Sequence, residues 1–350
     1  MSSTENAGVY GRDTEQIVVS VIIKALNEEA KVADAIESAF KGVEGLAAEI
    51  ILADSLSTDR TVEIAKKYPV KIAQLKCPDH RCCGVGPQLG YQHSRGEYVY
   101  ILDGDMLLEP EFIPRAVKLM RQRLDVAGVA GIVRELGGRS YDFERRKLRD
   151  ARWTKAGEQE WLDMGGLYRR TAVDSVGYLS NLNLHAFEEQ ELGHRLISAG
   201  WKLLRMNEPS VTHCGHTIDT LELIRNRWTS KYIDGHGELL RAALGKPYFW
   251  AVAKSQKSVL IMTVFFVGLF IGIALAPWYG WPLAVVLVGL GLVFLIMYAT
   301  KKDLKMAALG LSLWPIRVAG FVRGVFRPQR NPCDRVPSML LSGNGKRVAR

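Results

Sequence analysis

The stretch Glu97-Tyr98-Val99-Tyr100-Ile101-Leu102-Asp103-Gly104-Asp105 sets a strand-forming run against two carboxylates separated by one glycine. Short, apolar and rich in β-branched and aromatic residues, the run predicts a buried strand over residues 97–102 that ends at Asp103. Two acids flanking a glycine at a strand end can turn toward one point. Hard carboxylate oxygens so placed suit Mg²⁺ or Mn²⁺, which would bridge a substrate diphosphate. The same triplet also occurs as a solvated turn; its position at the end of a buried strand favours the metal.

Working outward, β-branched runs predict strands over residues 17–23, 49–53, 70–75 and 126–133. Helical periodicity falls between them, over residues 27–40, 58–67, 86–94 and 110–123. Strands alternating with helices imply an α/β domain with a mostly parallel sheet and right-handed crossovers, expected over residues 17–218. In such sheets ligands collect at the carboxyl ends of the strands. Asn27, Asp54 and Asp103 all fall at that edge. Asp54 could accept hydrogen bonds from a base or ribose, whereas Asp59 reads mainly as a cap for the next helix. Residues 1–16 are polar, carry no apolar core, and are expected to be a disordered tail rather than a signal peptide.

A third group of polar residues lies in Phe187-Glu188-Glu189-Gln190-Glu191-Leu192-Gly193-His194-Arg195-Leu196. On a helical wheel Leu192, Leu196 and Ala199 share a face, and Glu189 falls on it. An acid on an apolar face is costly unless it has a partner or a task. Desolvation would raise its pKa, which suits a general base. Glu188, at the edge of the face, is the second candidate. Glu191 and Arg195 fall on the opposite face, where an i,i+4 ion pair accounts for them. His213 closes a strand-like run, with His216 just behind. Either could complete a metal shell, and a structural histidine fits the pattern equally well.

Residues 258–300 contain no charge, although the whole chain of 350 residues carries a net charge of +9. Two apolar runs, 258–276 and 282–299, are long enough to cross a bilayer. Pro277, Trp278, Tyr279, Gly280, Trp281 and Pro282 join them with turn formers and interfacial aromatics. The expectation is a transmembrane hairpin over residues 257–300. Lys254 and Lys257 precede it; Lys301, Lys302 and Lys305 follow. By the positive-inside rule the outer ends and the α/β domain face the cytoplasm. Aromatic and basic residues over 219–256 predict interfacial helices. Residues 306–316 are too short to span, so 301–350 is expected to hold an interfacial helix and a basic tail against anionic lipid. No nucleic-acid motif accompanies the charge. The odd cysteine count argues against a disulfide framework and for a reducing compartment.

The ordered pieces are residues 19–28, Asp54 to Thr61, 96–105, Gly165-Gly166-Leu167-Tyr168-Arg169-Arg170, Glu188 to Arg195, and His213. Together they resemble the family-two glycosyltransferases with a GT-A fold. The resemblance implies that Asn27, Glu28 and Asp54 hold the nucleoside of a nucleotide-diphosphate sugar. It implies that Asp103 and Asp105 serve a Mn²⁺ or Mg²⁺ ion and the diphosphate, with His213 completing the metal shell. Glu188–Glu189 would supply the base of an inverting reaction, and Gly165 and Gly166 would border donor sugar and acceptor. Ile224 stands where processive relatives carry glutamine ahead of Arg227-Trp228. With two spans this implies single addition, and Arg227 could assist the leaving group. The expected acceptor is a hydroxyl of a lipid-linked glycan. The rival readings are a polyprenyl-phosphate glycosyltransferase and, in another class, a non-catalytic membrane scaffold.

Overall fold

The computed structural model describes residues 16–136, 155–163, 165–214 and 220–341. Its strands are β1 (Val19–Ala25), β2 (Ala48–Asp54), β3 (Lys71–Leu75), β4 (Tyr98–Asp103), β5 (Met106–Leu108), β6 (Val126–Leu136), β7 (Gly157–Glu158), β8 (Gly166–Arg169), β9 (Lys202–Cys214) and β10 (Ser338–Leu341). The sheet order is β10-β3-β2-β1-β4-β8-β6-β9-β5, with β7 also on β9. Strands β3, β2, β1 and β4 pair in parallel, as the alternation of elements predicts. Beyond β4 the sheet is mixed: β8 runs antiparallel to both neighbours, and β5 runs antiparallel to β9.

Alternate residues of β1 separate two cores, as a pleated strand requires. Val19, Val21 and Ile23 face α1 (Val32–Gly42) and α4 (Phe112–Gln122). Ile22 faces the layer built from α3 (Val85–Tyr91) and α6 (Glu188–Ser198). Two short helices, α2 (Thr61–Ala65) and α5 (Arg170–Ser175), complete the crossovers. Helix α1 starts five residues later than its periodicity predicts, because Asn27 takes a left-handed conformation (φ 59°) and the chain turns before Val32. Four described cysteines, Cys77, Cys82, Cys83 and Cys333, are free thiols.

After the α/β unit come α7 (Thr220–Thr229), a 3₁₀ turn at Tyr232–Asp234, α8 (Gly235–Ala242) and α9 (Phe249–Ser255). Then α10 (Lys257–Leu275) and α11 (Trp281–Lys301) form the hairpin. Val264, Phe270, Val288 and Ile296 are each more than half exposed on it, a surface suited to lipid rather than water. The next apolar stretch is longer than its sequence suggests. Helices α12 (Leu304–Ser312) and α13 (Trp314–Phe326) follow one another with a break before Pro315. By length and composition Leu304–Phe326 is a third candidate span, with mean hydropathy 1.2 against 2.6 and 2.5 for the hairpin helices. The chain then returns to the sheet, where Ser338–Leu341 pairs antiparallel with β3. A strand in the expected basic tail is a departure from the sequence reading. Its register is fixed by Gln92, which donates to Val336 O (2.9 Å) and Ser338 Oγ (2.8 Å). Lys346, Arg347 and Arg350, like His216 and residues 1–15, lie outside the described residues.

Candidate active site

Register assembles the site. Lys24 on β1 stands beside Asp103 on β4 and Ala53 on β2; one position further, Ala25 stands beside Asp54. The Lys24 ammonium lies 2.6 Å from Asp103 Oδ1, 3.4 Å from Glu188 Oε1 and 3.9 Å from Glu189 Oε1. Burial opposes its charge, but the three carboxylates outweigh that, and its pKa is raised well above the ordinary lysine value.

The loops after β1 and β2 are laced together. Asn27 Oδ1 accepts from Thr58 N (2.8 Å), and Asn27 N donates to Ser57 Oγ (2.9 Å). Glu28 N donates to Thr61 Oγ1 (2.8 Å). Asp59 accepts from Thr61 N and Glu29 N (both 3.0 Å), so it bonds the first amide of α2 although Arg60 holds the N-cap position. Asp54 departs from expectation. Its fully buried carboxylate accepts from Leu56 N, Ser57 N and Gln74 Nε2, so in this arrangement it shapes the loop rather than lying open to a nucleoside.

On the other side, pairing of Met106 with His213 brings the end of β9 against the Asp103-Gly104-Asp105 turn. His213 Nε2 lies 3.4 Å from Asp105 Oδ2, and Lys31 Nζ lies 4.0 Å from the same oxygen. Neighbouring ligands of an octahedral ion with ~2.1 Å bonds sit about 3 Å apart, so this pair fits Mn²⁺ or Mg²⁺. Negative charge accumulates around it. The Glu28 carboxyl is pushed up to about 7, by burial first and then by Asp105, with Asp103 adding to the effect. The expected three-ligand set is nevertheless not gathered: among the described residues no three His, Cys, Asp or Glu side chains form a metal-binding group. Lys24 engages Asp103 instead. A protein site with one or two side-chain ligands is ordinary for these ions, since substrate phosphates complete the shell.

Helix α6 begins at Glu188, after Phe187 in a left-handed conformation (φ 69°). Such backbone strain in a non-glycine residue concentrates at functional sites. The glutamates differ in access: the Glu188 side chain is 8% exposed and that of Glu189 23%. Local burial raises the Glu189 pKa well above the carboxylate range, and neighbouring Glu188 raises it further against the pull of Lys24. The wheel reading of this helix needs correction. The Glu191–Arg195 pair forms, but inside the protein. Arg195 Nε lies 2.8 Å from Glu191 Oε2, Tyr178 Oη donates to Glu191 Oε1 (2.8 Å), and the guanidinium donates to Tyr178 O (2.6 Å). The segment before α6 covers that face, so the helix is buried on two sides, and Glu189 is the more exposed of the two glutamates.

Gly165 has φ +94°, and a Cβ there would stand 2.9 Å from the Tyr100 hydroxyl, so the turn into β8 requires glycine. Gly166 pairs with Ile101. Arg227 stacks over the Tyr232 ring at 5.1 Å. The Tyr232 hydroxyl pKa is raised, by desolvation first and then by Cys83, with smaller effects of Glu188 and Glu189, although the side chain as a whole is 40% exposed. The sequence reading gives neither Lys24 nor Tyr232 a part in the site, and places Tyr232 only in an interfacial segment. A lysine inside a strand of apolar residues was the available signal for the first.

An α/β sheet with acids at its central strand ends and a glutamate pair opposite is the arrangement expected of the GT-A class. The Glycosyl transferase family 2 model matches residues 20–175, and that of Glycosyl transferase family group 2 matches residues 98–300. The chain belongs to the family-2 glycosyltransferases. It is 28% identical over 113 residues to a dolichol-phosphate mannosyltransferase of Pyrococcus furiosus, covering 31% of this chain and 32% of the relative. It is 30% identical over 167 residues to an undecaprenyl-phosphate 4-deoxy-4-formamido-L-arabinose transferase of Pseudomonas paraeruginosa, covering 45% and 49%. The chain thus spans half or less of the length of these curated relatives. A mannosyltransferase structure from Pyrobaculum calidifontis, in complex with GDP-Man and Mn²⁺, shares the fold at 17% identity and TM-score 0.56, over 89% of this chain and 88% of that one.

Proposed function

We propose that the protein moves a sugar from a nucleoside diphosphate to an acceptor hydroxyl, with inversion at the anomeric carbon and with Mn²⁺ or Mg²⁺ as cofactor. The observation that carries this reading is the convergence of Asp103, Glu188 and Glu189 on one ammonium, beside the Asp105–His213 pair. Asp105 and His213 would hold the ion with Asp103 near, and Asn27, Glu28 and the Asp54 loop would border the nucleoside. When bound, the ion offsets charge on the departing diphosphate. Glu189 takes the proton of the acceptor hydroxyl on its carboxylate. The acceptor oxygen then bonds to the anomeric carbon as the bond to the diphosphate oxygen breaks and its electron pair leaves with the nucleotide. One base and one displacement give inversion. Lys24 would keep Glu188 and Glu189 together against their repulsion, and Arg227, which lies over the Tyr232 ring, could assist the departing nucleotide. Gly165 and Gly166 border donor sugar and acceptor.

The hairpin favours a lipid-linked glycan acceptor. Lysines on both outer flanks favour the cytoplasmic face of an inner or plasma membrane for the catalytic domain. A second reading, a polyprenyl-phosphate acceptor, is favoured by what the two curated relatives are named for. An acceptor phosphate is already anionic and needs no base. Turnover of Asp105→Asn and Glu189→Gln in membranes, with Mn²⁺ and a panel of nucleotide sugars, separates these cases. Asp105→Asn should lose at least about 100-fold in kcat; full activity there removes the metal from the mechanism. Glu189→Gln should lose a comparable factor if the acceptor is a hydroxyl, and a near-normal rate assigns the phosphate.

A further inference from the structure

Lys24 is a cation already seated among the acids of the site. Its backbone is fixed to β4 by parallel pairing with Asp103, and its carbonyl accepts from Gly104 N at 2.8 Å. The side chain cannot drift away, since it is 17% exposed and meets Asp103 Oδ1 at 2.6 Å. Its other partners, Glu188 and Glu189, come from a helix 164 residues further along the chain. One ammonium therefore joins the carboxylate on the donor side to both candidate bases. It also accounts for the gathering of two rather than three metal-ligating side chains: the third carboxylate is already in an ion pair.

We propose that Lys24 is a positioning residue that competes with the divalent ion for Asp103, weakening metal binding in the substrate-free enzyme while holding Glu188 and Glu189 together for turnover. The proposal rests on the metal reading of the preceding subsection. It implies that metal enters productively with the diphosphate, whose oxygens supply the missing ligands, and that the empty site stays largely free of metal.

The test is Mn²⁺ binding without any sugar nucleotide, followed by the paramagnetic signal of free Mn²⁺ and by thermal shift, on full-length protein in detergent. Wild type, Lys24→Met and Lys24→Arg are compared. Lys24→Met should bind Mn²⁺ about tenfold more tightly, since a charge of the metal's own sign has been removed from its ligands. Lys24→Arg should stay near wild type. With donor present, Lys24→Met should lose on the order of tenfold in kcat with a smaller change in donor KM, and Lys24→Arg should recover part of it. Lys24→Gln serves if the methionine variant does not fold. A folded variant that binds Mn²⁺ no better than wild type, while wild type does bind it, overturns the role of Lys24 and leaves the metal reading standing. No Mn²⁺ binding by any of the proteins overturns both.

Discussion

Access to water distinguishes the acids that face Lys24. The side chains of Asp103, Glu189 and Glu188 are 32%, 23% and 8% exposed. On the proposed mechanism Glu189 is therefore the glutamate open to an acceptor, while Glu188 stays against the lysine. Burial and Glu188 raise the pKa of Glu189, so it holds its proton at pH values where an ordinary carboxylate is ionised. A protonated base cannot accept the acceptor's proton. Activity should therefore fall as pH drops through the raised value, with an acid limb above the ~4.3 of an unperturbed glutamate. A kcat/KM profile at saturating Mn²⁺ checks this. A rate flat from pH 5 to 8 would remove Glu189 as the base. The motifs drew attention to Asp103 at the end of β4, Asp105 in the turn before β5, Glu188 and Glu189 at the start of α6 and His213 near the end of β9. The structure brings these residues near one another around Lys24 and Asp105. Lys24 was hidden because its meaning depends on partners from β4 and α6, which no local pattern connects. The saturation of Asp54 was hidden for the same reason, since Gln74 reaches it from the next strand.

Between helices, the least legible feature is the fastening of α13 to α8. Asp234 is fully buried, and Arg323 and Arg327 donate to it at 2.6 and 2.5 Å from the far side of the hairpin. The backbones meet closely as well: a Cβ on Gly237 would stand 2.0 Å from Phe321 O, and one on Gly324 would stand 2.1 Å from Asp234 O. The same element reaches the catalytic helix. Glu238 accepts from His185 N at 2.8 Å and lies 2.8 Å from its Nδ1, two residues before the strained Phe187. The charge pattern suggested contact with anionic lipid, yet these two arginines serve a buried acid 89 and 93 residues earlier. Removing the acid of a buried pair costs about 3–5 kcal/mol, but here Arg327 would keep Glu238 Oε1 at 3.3 Å and Arg323 would keep Trp228 O at 3.3 Å. Half-exposed arginines can turn to water, so Asp234→Ala should fall near the lower end. Thermal melts and limited proteolysis around residue 313 should show a lower Tm and faster cleavage there. An unchanged melt would mean that the glycine contacts alone hold the helices.

Across the whole molecule the chain leaves the catalytic domain and comes back. Ser255 Oγ accepts from Gln190 on α6 at 2.7 Å, and β10 lies on β3 in the same sheet. Two points attached to one body lie on one side of a membrane, so the segment between them crosses it an even number of times. Of three candidate spans by length and composition, the expected arrangement has the hairpin helices crossing and Leu304–Phe326, held through Asp234, lying along the surface. The short, proline-containing run carries the same expectation in the sequence, over a stretch shorter than the helices of the structure. Single cysteines at positions 37 and 338, in a background without other cysteines, should react with an impermeant maleimide from the same side of sealed vesicles. One at position 280 should react from the other. Labelling of 37 and 338 from opposite sides would require a third crossing. The return of β10 also carries a practical consequence for anyone preparing a water-soluble form. Stopping the gene before the hairpin would discard an edge strand and the partners of Asp234, leaving an exposed β3 prone to aggregate. Looping out residues 257–301 alone, with a short polar bridge in their place, keeps every piece of the sheet.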